Sequence, residues 1–244
     1  MEKSDMIYGT RAVIEAILAG KNIDKVMIQS GLTNDLVKEL IAVARNNNVA
    51  VTFVPPEKLK RLSAKNHQGV ICLLSSVSFA SLDNLIYKAY NEGREPFFLL
   101  LDRVTDVRNF GAIVRTAECA GLDGIVIAEK GNVPITSDAM KTSAGALNHL
   151  PICREKDMKA TLQLLRDNGI RIIACTEKTE KSIHALTLTG PIALIVGSEE
   201  DGISDTFLRE ADELVRIPLK GKIGSLNVSV AAGIAMYEIV RQRS

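Results

Sequence analysis

The fold of this chain depends on Ile217-Pro218-Leu219-Lys220-Gly221-Lys222-Ile223-Gly224-Ser225-Leu226-Asn227-Val228, a stretch that joins a predicted strand at 213–217 to the last helix. Pro218 ends the strand, and a loop with two glycines and two lysines follows. Ser225 and Asn227 belong to the residue types that accept hydrogen bonds from the first free N–H groups of a helix. One interpretation is therefore an ordinary loop with a helix cap, and the other is a loop that binds a ligand.

The helix that follows favours the second interpretation. Small residues on more than one face of it allow close approach by neighbouring backbone (Val228, Ala231, Ala232, Gly233 and Ala235). We therefore expect this helix to be buried, in the core or in a subunit contact. The polar side chains of Ser225 and Asn227 would then lie where a compact ligand can reach them.

Composition indicates a globular protein with one large or two ordinary domains. The chain has 244 residues, of which 46% are hydrophobic and 24% are charged. No window holds eighteen apolar residues, so we expect no membrane span. The first five residues show no signal-peptide core, which predicts a cytoplasmic protein.

Cysteines and histidines are scattered and predict no metal site. The four cysteines, at 72, 119, 153 and 175, form no close pairs, which is typical of reduced thiols rather than of disulfides or zinc ligands. The three histidines, at 67, 149 and 184, are equally dispersed. We expect His67 to be a turn residue rather than a catalytic one.

The charge balance shows no general attraction to nucleic acid. Lysine and arginine number 30 against 29 aspartates and glutamates. Binding of RNA would have to depend on local clusters, and otherwise these side chains are solvated surface. The candidate clusters are Lys58, Lys60, Arg61 and Lys65, and separately Lys220 and Lys222.

Alternating helix and strand patterns predict a small α/β unit at the N-terminus. Predicted strands at 25–28, 49–54 and 70–74 alternate with helices at 11–18, 34–45 and 57–62. A serine-rich stretch and a Gly-Arg-Glu-Pro sequence mark a boundary near residue 85. The predicted organisation is a first domain at 1–80, a linker at 81–95 and a second domain at 96–244.

The second domain has the pattern of a mostly parallel sheet with helices on both faces. Its predicted strands are short apolar runs, as expected for strands that are buried on both faces of a sheet. They lie at 97–101, 124–128, 150–154, 171–176, 192–196 and 213–217. The predicted helices between and after them include 112–120, 137–147, 158–168 and 205–211. Such sheets bind ligands at the carboxyl ends of their strands, where the polar segments 102–111, 197–202 and 218–227 lie.

Known phosphate-binding and nucleophile motifs are missing from this sequence. No G-x-G-x-x-G follows a strand, Gly221-Lys222 does not complete a Walker A loop, and Gly197-Ser198-Glu199 lacks the glycine of a nucleophile elbow. These absences favour a metal-free ligand that is not anchored by a glycine-rich phosphate loop.

Three ordered segments resemble the motifs of the SpoU/TrmH family within the SPOUT superfamily. They are Asp106-Val107-Arg108-Asn109-Phe110-Gly111-Ala112-Ile113-Val114-Arg115-Thr116-Ala117, Leu194-Ile195-Val196-Gly197-Ser198-Glu199-Glu200-Asp201-Gly202, and the stretch from Ile217 through Ser225-Leu226-Asn227 to Ala231. The family comprises RNA ribose 2′-O-methyltransferases that use S-adenosylmethionine. One departure is Val107, where the family usually has proline.

The resemblance also covers the N-terminal unit. Tyr8-Gly9 and His67-Gln68-Gly69 look like parts of the L30e-like RNA-binding domain found in family members that methylate a guanosine of bacterial 23S rRNA. The resemblance implies an α/β fold with a C-terminal trefoil knot, a homodimer, and RNA as partner, namely 23S rRNA or a large-subunit precursor. It implies no membrane and no metal.

Residue roles follow from the matching motif positions. The resemblance implies that backbone groups at Gly197, Ile217 and Leu226 bind S-adenosylmethionine. It also implies that Arg115 activates the ribose hydroxyl, and that the hydroxyl or the cofactor is positioned by Asn109, Glu199, Ser225 and Asn227.

Chemistry restricts the role of Arg115. Arginine has a pKa above about 12, so a neutral guanidine base is poorly suited to neutral pH. We therefore favour Arg115 as a clamp on RNA phosphate that stabilises developing alkoxide charge, with direct base action as the alternative.

Three functions remain in competition. The favoured one is methyl transfer from S-adenosylmethionine to a ribose 2′-hydroxyl of 23S rRNA, with a tRNA ribose as the alternative target. A non-catalytic RNA-binding or ribosome-assembly protein is the second, and intact Asn109, Arg115, Glu199 and Asn227 argue against it. The third, a generic nucleotide-dependent enzyme, is disfavoured by the missing glycine motifs.

Overall fold

The computed structural model describes residues 5–244, which form two compact units. The first unit extends to Ser78 and includes the later segment Pro134–Met140, and the second comprises Phe79–Val133 and Lys141–Ser244. The expectation about a signal-peptide core concerns residues 1–5 and lies, except for Asp5, outside the described residues.

The first unit is a four-stranded mixed sheet with three helices. Strand β4 runs antiparallel to β1 and β2, and β3 pairs parallel with β2, which gives the order β1-β4-β2-β3. The elements are β1 (Met6–Tyr8), α1 (Thr10–Leu18), β2 (Ile23–Gln29), α2 (Asp35–Asn46), β3 (Val51–Val54), α3 (Pro56–Leu62) and β4 (Val70–Leu74). The predicted alternation is confirmed, except that β1 was missed because three residues carry no readable periodicity.

Turn geometry before β4 agrees with the prediction for His67. The backbone N–H of Gly69 donates to Nδ1 of His67 at 3.0 Å, and Gln68 and Gly69 both have positive φ, at 50° and 78°. His67 is therefore a turn residue whose imidazole closes a local hydrogen bond.

The second unit is built on a six-stranded sheet in which every pair of neighbours is parallel. The strand order is β10-β8-β9-β5-β6-β7, so the predicted α/β fold with a mostly parallel sheet is confirmed. The elements are α4 (Leu82–Asn91), β5 (Phe97–Leu101), α5 (Val107–Cys119), β6 (Gly124–Ala128), β7 (Ile152–Glu155), α7 (Met158–Asp167), β8 (Arg171–Cys175), β9 (Ile192–Val196), α8 (Asp205–Glu210), β10 (Glu213–Val215) and α9 (Val228–Arg243). Helix α6 (Ser137–Thr142) begins in the segment assigned to the first unit and ends in the second. The trefoil knot stays a prediction.

Helix α4 lies in the segment that the sequence predicts as a linker, yet it contributes to the core of the second unit. Leu82 and Ile86 are almost completely buried and belong to the same apolar cluster as Phe98, Leu100 and Val126 of the sheet. The helix has an apolar face, and packing that face against the sheet is more favourable than leaving it in solvent as a linker.

Two helix limits differ from prediction for local reasons. Helix α5 begins at Val107 rather than at 112, because the Asp106 carboxylate accepts hydrogen bonds from the N–H groups of Arg108 and Asn109 at 2.8 and 2.9 Å. The helix predicted at 137–147 ends at Thr142, because Ala144 and Gly145 take left-handed φ values of 51° and 85°. A short 3₁₀ turn, Ala146–Asn148, follows.

Within one chain, helix α9 is buried on one side only, so the expected burial in the core holds for that side and burial in a subunit contact stays a prediction. It packs against α5 and β9, with Ala232, Ala235 and Met236 fully covered. Val230, Ile234 and Tyr237 remain 49%, 38% and 49% exposed on another side. Gly233 faces α5, and a Cβ atom there would lie 3.6 Å from the Thr116 methyl group.

Candidate active site

The loop after β9 is a tight turn that folds back on itself. The N–H of Ser198 donates to the carbonyl of Gly202 at 3.0 Å, and the N–H of Gly202 donates to the carbonyl of Ser198 at 3.1 Å. A Cβ atom at Gly197 would lie only 2.1 Å from the carbonyl carbon of Gly202. Glycine at 197 is therefore required for this close backbone approach.

Asn109 reaches the same loop from the first turn of α5. Its position depends on the Asp106 cap, which sets where the helix begins. Two residues further along, Gly111 packs against Thr142, whose hydroxyl donates to the carbonyl of Val107 at 3.0 Å. These contacts hold the start of α5 in place.

Asn227 caps α9 and is fixed by its own helix. Its Oδ1 accepts hydrogen bonds from the N–H and the hydroxyl of Ser229, at 3.0 and 2.6 Å. Its Nδ2 is thereby aimed away from the helix. The cap predicted from Ser225-Leu226-Asn227 is made by Asn227.

These three side chains meet in one hydrogen-bond network. Nδ2 of Asn109 donates to Oε2 of Glu199 at 2.9 Å, and Nδ2 of Asn227 donates to Oε1 of Glu199 at 2.9 Å and to Oδ1 of Asn109 at 3.0 Å. The Glu199 carboxylate thus accepts from both amides. Each of the three predicted motifs contributes one member, and the network is open to solvent on one side.

A cavity of about 530 Å³ lies beside this network. It opens between the carboxyl ends of β8, β9 and β10, where a parallel sheet is expected to bind ligands. The predicted cofactor residues Gly197, Ile217 and Leu226 all line it, as do Glu199 and Ser225. Asn109, Asn227 and Arg115 do not line it.

Sequence reasoning missed one wall of this cavity. Cys175 ends β8, Thr176 and Glu177 follow it, and all three line the cavity together with Arg216. The segment after β8 carries no glycine and was overlooked for that reason. The rule that ligands bind at carboxyl ends of parallel strands would have found it.

Burial changes the acid–base behaviour of the thiol in this wall. Desolvation, with a smaller contribution from the Glu177 carboxylate, raises the pKa of Cys175 to about 12. The thiol therefore stays protonated at neutral pH, and Cys175 contributes an apolar surface rather than a nucleophile.

Arg115 lies apart from the network, on the exposed side of α5. Among residues 5–244, its guanidinium makes no hydrogen bond or ion pair. Within one chain it is therefore a solvated cation that is free to contact a large anionic partner.

Over residues 5–244, no group of three histidine, cysteine or carboxylate side chains is placed to hold a metal ion. None of the helices in that same range is both long enough and apolar enough to cross a bilayer.

Two family models match this chain in the order of its two units. Residues 96–237 match the SpoU rRNA Methylase family, and residues 6–80 match the RNA 2′-O ribose methyltransferase substrate binding family. The boundaries of the matches fall between the two sheets.

Similar proteins align over nearly the whole chain. YacO of Bacillus subtilis, which is named as a TrmH family tRNA/rRNA methyltransferase, is 32% identical over 100% of this chain and 98% of its own. A Staphylococcus saprophyticus protein with the same family name is 33% identical, over 98% and 96% of the two chains.

Solved structures agree with the sequence relatives. The AdoMet-bound rRNA methyltransferase of Sinorhizobium meliloti is 25% identical with a TM-score of 0.61, over 97% of this chain and 87% of its own. A structure described as an RNA 2′-O ribose methyltransferase is 26% identical with a TM-score of 0.58, over 97% and 88%. The matched models and the full-length relatives together show that this chain belongs to the SpoU rRNA methylase family of RNA methyltransferases.

Proposed function

We propose that this protein transfers a methyl group from S-adenosylmethionine to the ribose 2′-hydroxyl of a guanosine in 23S rRNA. The observation that carries the proposal is the Asn109–Glu199–Asn227 network beside the cavity lined by Gly197, Ile217 and Leu226. Three segments that are distant in sequence supply one polar cluster and one ligand-sized space.

The cavity suits S-adenosylmethionine in size and chemistry. Its volume of about 530 Å³ lies within the range of about 300–1,000 Å³ that is common for small-molecule sites. The lining combines loop backbone at Gly197, Ile217 and Leu226, which can hydrogen-bond a base edge, with carboxylates and hydroxyls that suit an amino group and a ribose. When bound, S-adenosylmethionine supplies the methyl group.

The polar network would hold the reacting hydroxyl beside the cavity. Asn109 and Asn227 orient Glu199 through both of its carboxylate oxygens, so the cluster is preorganised. Ser225, at the cavity edge, offers a further hydroxyl to substrate or cofactor. Holding the ribose oxygen in line with the methyl group supplies much of the rate enhancement in a reaction of this type.

Arg115 completes the site as a clamp for RNA phosphate. Its planar guanidinium suits bidentate contact with phosphate and stays charged throughout neutral pH. Its exposure supports contact with RNA rather than with the small cofactor.

Large-subunit rRNA is the proposed target because of the first unit. Residues 6–80 match a substrate-binding family, and the motifs at Tyr8-Gly9 and His67-Gln68-Gly69 resemble those of the 23S rRNA enzymes. A tRNA ribose is the second candidate, because the relatives are named as tRNA/rRNA methyltransferases.

A homodimer is the proposed assembly. Val230, Ile234 and Tyr237 repeat at i, i+4 and i+7 and leave an apolar stripe exposed along α9. Two copies could cover this stripe through a self-complementary contact.

We also propose a cytoplasmic location, where the rRNA substrate and the four free cysteines would be expected.

Transfer of labelled methyl groups tests the proposed function. The purified protein and S-adenosylmethionine are incubated in three separate reactions, with large-subunit rRNA, with its precursor or with total tRNA. Ribose methylation is then mapped in each RNA. A single modified guanosine in 23S rRNA is expected, with undiminished activity in a chelator if the RNA stays folded. Modification of tRNA alone would select the second candidate, and binding of RNA without transfer would overturn the enzymatic assignment.

Sedimentation of the native protein and of an Ile234→Glu variant tests the dimer.

A further inference from the structure

Arg103 takes a backbone conformation that residues other than glycine rarely adopt. It follows directly after β5 and Asp102, and its φ is 59°, in the left-handed region. Such a conformation persists only when surrounding contacts hold it in place. The contacts of the Arg103 side chain are therefore informative.

The guanidinium of Arg103 connects two loops. Its Nη1 donates to Oδ2 of Asp201 at 3.0 Å, and its Nη2 donates to the carbonyl oxygen of Gly202 at 3.1 Å. Its Nε donates to Oδ1 of Asp102 at 3.2 Å. The first two partners belong to the turn that follows β9.

Asp102 fixes the other end of the same turn. Its side chain is buried, and its Oδ2 accepts a hydrogen bond from the N–H of Ser204 at 2.6 Å. Asp102 therefore holds Ser204, two residues beyond the turn, while it also orients Arg103. Together the two side chains tie the 197–202 turn to the end of β5.

The turn that Arg103 holds is a wall of the cavity. All six of its residues line the space, and Glu199 within it receives both amides of the polar network. A shift of this turn would move the cavity wall and the Glu199 carboxylate together.

We propose that Arg103 is a positioning residue for S-adenosylmethionine binding, which holds the 197–202 turn in its cofactor-ready position without contacting the cofactor. This inference rests on the proposed function. The ion pair with Asp201 is solvent-exposed, since the side chains are 38% and 69% exposed, so it contributes little to global stability. Its role is geometric.

This role predicts opposite effects on stability and on cofactor affinity. Glycine adopts positive φ without strain, so Arg103→Gly relieves the backbone while it removes all three donors. Thermal stability should be unchanged or higher. Affinity for S-adenosylmethionine should fall by about tenfold, as expected when a charge-assisted contact that preorganises a loop is lost.

Calorimetry and steady-state kinetics on the full-length protein test the proposal. Arg103→Gly should raise the Kd and the KM for S-adenosylmethionine, with kcat within about twofold of wild type because saturating cofactor reorders the turn. Arg103→Lys, which retains one cationic donor, should recover part of the affinity. Asp201→Asn should weaken binding in the same direction, and its effect should not add fully to that of Arg103→Gly.

Arg94→Ala serves as the matched control. Arg94 also pairs with two carboxylates, those of Glu92 and Asp123, but it touches no residue of the turn. It should leave the Kd for S-adenosylmethionine unchanged. Wild-type affinity in Arg103→Gly, a fall in kcat without a change in KM, or a loss of affinity that accompanies a lower Tm would each overturn the positioning role. Failure of the wild-type protein to bind S-adenosylmethionine would instead overturn the proposed function.

Discussion

Nδ2 of Asn227 lies 3.0 Å from Oδ1 of Asn109, although 118 residues separate the two in sequence. Asn227 caps the last helix, and Asn109 lies in the first turn of α5. Both amides also donate to Glu199, so two helix starts and one loop share a single carboxylate.

Removal of the shared carboxylate should abolish most activity. Glu199→Ala leaves two amides without their common acceptor, and we expect kcat to fall by about 10²-fold, the usual effect of losing one preorganised polar group. Single-turnover methyl transfer measures this step directly. Asn109→Ala and Asn227→Ala should combine non-additively with it. Full additivity of the three substitutions would show that the residues act independently.

Gly197→Ala should damage cofactor binding. The added methyl group would meet the backbone of Gly202 and Ile203 within 2.3 Å, so the turn must shift, at a cost of about 1–3 kcal/mol in folding stability. Titration with S-adenosylmethionine and thermal melting check both effects. Gly221→Ala is the matched control, because it lines the same cavity and a Cβ there meets nothing within 4 Å. Similar losses in both variants would contradict this explanation.

Arg115→Lys separates the two roles considered for Arg115. Lysine keeps a point charge but loses the planar fork that grips phosphate, so a clamp predicts a fall in activity of about 10²-fold with unchanged cofactor affinity. The pH profile should keep its shape, since a group charged throughout neutral pH does not titrate there. If Arg115 is the base, the activity of the variant should rise at a pH displaced toward about 10.4, the pKa of lysine. The comparison requires chemistry to be rate-limiting.

Charge reversal on α3 should weaken RNA binding only. Lys60 and Arg61 are exposed, and within residues 5–244 neither forms an ion pair. Lys60→Glu combined with Arg61→Glu should raise the Kd for RNA and reduce its salt dependence, while the Kd for S-adenosylmethionine stays constant. Lys38→Glu is the control, because Lys38 is already paired with Asp35 at 3.0 Å. Unchanged affinity for RNA in the double variant would exclude this helix from the RNA contact.

Glu238 on α9 should make the folding stability of the protein depend on pH in the acid range. Hydrogen bonds from Arg241, and then from Gln242, lower the pKa of this carboxyl from 4.5 to about 2. Because the folded-state pKa is depressed, the stabilisation is complete above pH 4.5 and is lost as the pH falls toward 2. Thermal melting between pH 6 and 2 should therefore show a steeper acid loss in the wild type than in Glu238→Gln. Parallel curves for the two proteins would rule out this contribution.

Local sequence patterns predicted the strands of the parallel sheet and the convergence of three polar segments at one edge of it. Apolar runs such as residues 97–101 and 192–196 predict strands that are buried on both faces, and the structure places β5 and β9 side by side in a parallel sheet. Because polar loops at the carboxyl ends of parallel strands converge, the segments around Asn109, Glu199 and Asn227 could be assigned to one site before any coordinates.

Two helix limits were predicted wrongly for different reasons. Helix α5 begins after the Asp106 cap, a local signal of the same kind as the cap at Asn227, but the polar residues around it were assigned to a loop. The break after Thr142 depends on the left-handed backbone of Ala144, a conformation that an alanine side chain does not indicate from sequence.

The sequence by itself therefore determined which polar segments follow the buried strands and converge, because hydrophobic periodicity and motif order are local properties. Only the tertiary structure decided that Glu177 faces the cavity, that Arg115 stands apart from it, and that Arg103 holds the 197–202 turn. Those facts depend on contacts between residues that are up to 99 positions apart in sequence. Strand order and packing bring such residues close together.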